Sequence, residues 1–66
     1  MLTIAEVDRR VAALKGATDD PERFHCDEDD LHRDVLEAIK DNHPKAAQLA
    51  AAALKSGSID CDRWYA

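Results

Sequence analysis

Aromatic residues are scarce: the chain has one Phe, one Trp and one Tyr. Gly, Pro and Cys occur twice each. Two cysteines are too few for a disulfide scaffold. Two glycines leave no Gly-rich loop to cradle a phosphate, and no Walker loop, GxGxxG, CxxC pair or HExxH motif is present. No apolar run approaches the ~18 residues that read as a membrane span. Met1-Leu2-Thr3-Ile4 has neither a basic segment nor a long apolar one ahead of a cleavage site, so the expectation is a cytoplasmic protein with reduced thiols.

What is present is charge and alanine. The 66 residues suffice for one domain, and the net charge is −5. Of the apolar residues, 12 are Ala, so a small set of larger side chains must build the core. A chain this short encloses little, which argues against a buried active site. The apolar residues are periodic, which argues for folding over disorder.

Thr3-Ile4-Ala5-Glu6 is a capping box with Leu2 and Val7 at the staple positions. It opens a first helix over about 3–15, with Ile4, Val7, Val11 and Leu14 on one stripe, a Glu6–Arg10 pair, and Gly16 as a left-handed stop. Asp20-Pro21 starts a second helix over about 20–41, and Pro44 ends it by disfavouring helix at His43. Its buried stripe is Phe24, Leu31, Val35, Ala38 and Ile39, with Leu36 at the edge. Glu28 projects into that stripe. A third, Ala-rich helix over about 44–55 carries Leu49 and Leu54, with Gly57 as its stop. A short helical turn at 60–65, capped by Asp60, places Trp64 over one end of the bundle. The fold expected is all-α: a compact three-helix bundle with a short C-terminal turn.

Charge is concentrated. Residues 19–41 hold ten acids and three bases, while the segments on either side are each weakly basic. Pairs such as Arg23–Asp27, Asp29–Arg33 and Arg33–Glu37 suit an ordinary solvated face. The same helix suits an acidic surface, Asp27, Asp30, Asp34 and Glu37, that docks a basic protein partner. Phosphate backbones are opposed by this charge, so nucleic acid is not the expected ligand. Ala53 and Gly57-Ser58 have the spacing of a helix-turn-helix turn, but the residues after them offer Asp60 and Asp62 against a single Arg63.

His25, Asp29 and His32 recur at i, i+4 and i+7, with Glu28 beside them. Imidazole and carboxylate at this spacing suit zinc or another divalent metal, completed by ligands from elsewhere such as His43 or Cys61. An ordinary helix–helix hydrogen bond to Glu28 from His32 or from an Arg of the first helix explains the same residues. Cys26 projects outward among acids that disfavour a thiolate. No set of nucleophile, base and oxyanion donors emerges, so no enzyme is expected. The small side chains of the third helix suit close approach of a second copy, as in a homodimer.

Asp20-Pro21-Glu22, His25, Glu28-Asp29, Leu31-His32, Val35-Leu36, Ala38-Ile39 and the ending Ile59-Asp60 with Arg63-Trp64-Tyr65-Ala66 resemble small helical proteins of actinobacteria and their phages. The resemblance implies a helical fold in a bacterial or host cytoplasm and carries no activity. The function expected from the whole is a non-catalytic interaction module, with a phage-type modulator of a host protein as its sharper form. Self-association and metal binding stand as alternatives.

Overall fold

Thr3 begins the structured chain as the sequence requires. In the computed structural model, which describes residues 1–59, its Oγ1 accepts from the Glu6 amide at 3.1 Å. Helix α1 follows over Ile4–Lys15 and buries Val7, Val11 and Leu14, with Leu2 and Ile4 packed at the edge of the core. Its end differs from expectation. Gly16 has φ −84°, an ordinary right-handed value. The Gly16 and Ala17 amides donate to Ala13 and Leu14 carbonyls at 3.1 and 3.0 Å, three residues back. These tighter bonds satisfy the terminal carbonyls, so no left-handed residue is needed.

Helix α2 spans Pro21–Lys40. Asp20 caps it, its Oδ1 accepting from the Arg23 amide at 3.2 Å, and Pro21 takes the first position, where a missing N–H costs nothing. Phe24, Leu31 and Val35 are buried, and Ala38 and Ile39 are partly buried. The stop is not the work of Pro44 alone. Asn42 adopts φ 63°, the left-handed conformation. The His43 amide donates to Ala38 O and the Asn42 amide to Ile39 O, both at 3.0 Å. That is the Schellman arrangement, with Asn in the place glycine commonly takes.

Helix α3 is shorter than expected. It covers Ala46–Leu54, because Pro44 and Lys45 remain in the preceding turn. Gly57 does not stop it: the chain tightens into a 3-10 turn, Lys55–Ser58, that contains Gly57 without a positive φ. Leu49, Ala52 and Ala53 are buried, and α3 packs against both α1 and α2. Ala at these contacts permits close helix approach, and one Leu with two Ala is what α3 contributes to the buried core.

The fold is thus a small all-α three-helix bundle, with no strand among the described residues. No helix among them is long and apolar enough to cross a membrane. The expected turn at 60–65, with Cys61 and Trp64, lies outside the described residues.

His43 fastens the α2–α3 turn to the segment that precedes α1. Its Nδ1 accepts from the Lys45 amide at 2.9 Å, which leaves the proton on Nε2 to donate to the Leu2 carbonyl at 2.7 Å. One imidazole therefore supports the start of α3 and ties it to the residue preceding the α1 cap.

Candidate interaction groove

The most distinctive surface lies between α2 and α3. His32, Val35, Leu36 and Ile39 from α2 face Ala50, Ala53 and Leu54 from α3 across a groove of about 270 Å³. Val35 and Ala53 form its floor because they belong to the core. Leu36 is 65% exposed and Leu54 73% exposed, so both leucines stand at its edges. The local sequence explains the arrangement. With a 3.6-residue period, the α2 stripe that buries Phe24, Leu31 and Val35 carries His32, Leu36 and Ile39 on its α3-facing flank. On α3 the Ala residues are too short to fill the space.

His32 carries a polar contact at the margin of the groove. His32 Nε2 and Ser56 Oγ lie 3.0 Å apart, and Ser56 is fully buried. The contact joins α2 to the 3-10 turn. Ser56 was not legible as a site residue. In sequence it is one polar residue in Lys55-Ser56-Gly57-Ser58, and only the tightened turn carries it inward.

Glu28 occupies the position expected for it. It is 4% exposed, on the core side of α2, and it is engaged in an interaction. No buried side-chain nitrogen or oxygen among the described residues lacks a hydrogen-bond partner. His25 is half-buried and engaged as well, and its ring meets Phe24 edge-on with centroids 5.6 Å apart. Asp29 is exposed. His25, Glu28, Asp29 and His32 thus share one helix without converging. Among the described residues no three His, Cys, Asp or Glu side chains are gathered so as to hold a metal ion. Of the two further ligands considered, His43 is engaged with Leu2 and Lys45, and Cys61 lies outside the described residues. Cys26 is exposed, as its projection on the helix requires.

The acidic set divides between two situations. Asp34 accepts from Arg10 of α1 at 2.8 Å, a bridge between helices. Arg10 therefore serves α2, and its expected partner Glu6 pairs with Arg9 at 3.6 Å instead. Asp27 pairs with Arg23 at 3.6 Å, as the spacing predicts. Asp30 and Glu37 are exposed, and Asp30 lines a shallow depression beside Arg10 with Asp27. The expected pairs Asp29–Arg33 and Arg33–Glu37 do not form: among the described residues these three side chains make no ion pair. Asp27, Asp30 and Asp34 therefore flank α1, on the side of α2 away from the groove.

No family model, curated protein or solved structure matches this chain.

Proposed function

We propose that this chain is a small, non-catalytic protein-interaction module that docks a helix of a partner polypeptide in the α2/α3 groove. The observation that carries this reading is the pair Leu36 and Leu54. The other large aliphatic side chains of α1–α3 are buried or packed at the edge of the core, whereas these two stand mostly exposed on either side of one apolar groove. Exposed apolar surface gathered in one place, as opposed to single scattered residues, is the mark of an interaction site. A groove between two helices takes an apolar helix face by the same packing that holds the bundle together.

The acidic face Asp27, Asp30, Asp34 and Glu37 has a supporting role in this reading. Two of its carboxylates already have basic partners within the chain, which reduces what they offer to another molecule. The excess acid of α2 biases encounters toward basic surfaces over long range and sets the salt dependence of their rate.

The test is a photoreactive amino acid placed at position 36 and, in a separate variant, at position 8 on the exposed side of α1. The expected result is covalent attachment to another polypeptide, this chain or a different one, from position 36 well above that from position 8. No attachment from position 36, or equal attachment from both, contradicts the reading.

A further inference from the structure

Trp64 and Tyr65 are two of the chain's three aromatic residues, and both belong to the segment 60–66, outside the described residues. The third, Phe24, is in the core. The last described residue, Ile59, stands close to the α2/α3 groove. Ser56 is bonded to His32, which lines the groove, and the Ile59 amide donates to the Ser56 carbonyl at 3.1 Å. Trp64 is five residues further on, a reach of up to about 17 Å for extended chain. From His32 to Ile39 the groove follows about 10 Å of α2. Its His32 end, with Leu36 and Leu54, is therefore within reach of Trp64.

Size and charge single out the groove among the surfaces around Ile59. Its volume of about 270 Å³ falls below the roughly 300–1,000 Å³ of pockets for drug-sized ligands, so it suits one large apolar side chain. Its lining contains no carboxylate, whereas the depressions on the α1 side hold two each, Asp27 and Asp30 in one, Asp19 and Asp20 in the other. Asp60 and Asp62 precede Trp64, so like charge opposes the α1 side and not the groove. The apolar surface around Leu2, Ile4 and Pro44 lies beyond the opposite end of α3, about 13 Å of helix away. We infer that the segment 60–66 turns back over the groove and that Trp64 seats between Leu36 and Leu54, from where a partner helix has to displace it. Seating covers the two exposed leucines and buries the indole. Because the segment is joined to Ile59, the contact is intramolecular and needs little affinity of its own. The displacement rests on the groove being a docking surface; the seating does not.

Trp64 is the chain's only Trp, so its fluorescence reports the seating directly. The test is tryptophan emission and acrylamide quenching of the full chain, with circular dichroism confirming helicity of each variant. The wild type is expected to show blue-shifted emission, shielded from acrylamide and unchanged on dilution through the micromolar range. Leu36→Asp and Leu54→Asp are each expected to shift the emission to the red and to raise the quenching. Ala13→Arg, in the depressions on the α1 side, is expected to change neither. Should a leucine variant lose helicity, a photoreactive residue at position 36 is expected to attach to 60–66 of its own chain, and failure to do so overturns the inference. Emission of a water-exposed Trp in the wild type overturns it. So does shielded emission that ignores both leucine variants or changes on dilution, which puts Trp64 on another surface or another copy. Trp64→Ala is expected to raise attachment from position 36 to other polypeptides, and no rise contradicts the displacement. If Trp64 is exposed but position 36 attaches to a different polypeptide, the seating is wrong and the interaction module stands. If Trp64 is seated but position 36 attaches to no other polypeptide even in Trp64→Ala, the seating stands and the module is wrong.

Discussion

His32 on α2, which lines the groove, and Ser56 in the 3-10 turn are joined by a hydrogen bond of 3.0 Å. The bond explains why a serine is among the most buried residues of the molecule. It also fixes where the chain goes after α3, because the turn must fold back far enough to reach the imidazole. Ser56→Ala is expected to destabilise the protein by about 1–2 kcal/mol, since it leaves a half-buried ring nitrogen without its partner. His32→Ala should cost a similar amount. A double-mutant cycle by urea denaturation should give a coupling of about 1 kcal/mol. Additive losses would mean that the two residues act separately.

Asn42 ends α2 with φ 63°. A residue with a Cβ pays for that conformation unless, like Asn, it makes local polar contacts. Asn42→Ala is therefore expected to destabilise by about 1 kcal/mol, and Asn42→Gly to be neutral or mildly stabilising. Thermal unfolding of the two variants checks this. Equal stability would contradict the assignment of Asn42 as the residue that stops the helix.

Arg10 and Asp34 link α1 to α2 at 2.8 Å, with Arg10 mostly covered and Asp34 about half exposed. A pair in this setting is worth about 0.2–1 kcal/mol, and salt weakens it. The coupling energy from Arg10→Ala and Asp34→Ala should lie in that range at low ionic strength and fall at high ionic strength. A coupling that ignores salt would point to packing of the Arg10 stem in place of charge.

Gly57 has no positive φ, and a Cβ built there meets nothing within 4 Å. Gly57→Ala should therefore be tolerated and stabilise by about 0.4–1 kcal/mol, by restricting the unfolded chain. A marked loss of stability in chemical denaturation would contradict the described 3-10 turn.

The bundle was legible in the sequence where one local signal settled the matter. Thr3 and Asp20 read as caps because their side chains satisfy amides three residues on, and the stripes Val7–Val11–Leu14 and Phe24–Leu31–Val35 read as core because their spacing matches the helix. The burial of Glu28 followed from the same projection. The ends of helices were less legible. Gly16 read as a left-handed stop and Gly57 as the stop of α3, yet Gly16 keeps a right-handed φ and α3 passes into a 3-10 turn before Gly57, because bonds to carbonyls three residues back tightened the chain. Asn42, which does take the left-handed role, was hidden beside the more conspicuous Pro44. The groove was the least legible part. Leu36 read only as the edge of a stripe, and Leu54 as one of two leucines in an Ala-rich helix. Only the relative placement of α2 and α3 brings them to one surface, and only that of α1 and α2 takes Arg10 across to Asp34 in place of Glu6.

Photoreactive labelling at the two edges of the groove tests the central claim most directly. A photoreactive amino acid would be placed at position 36, at position 54 and, as a control, at position 30 on the α1 flank of α2. Attachment to another polypeptide is expected from positions 36 and 54 well above that from position 30. Attachment centred on position 30, or none from positions 36 and 54, would contradict docking in the α2/α3 groove.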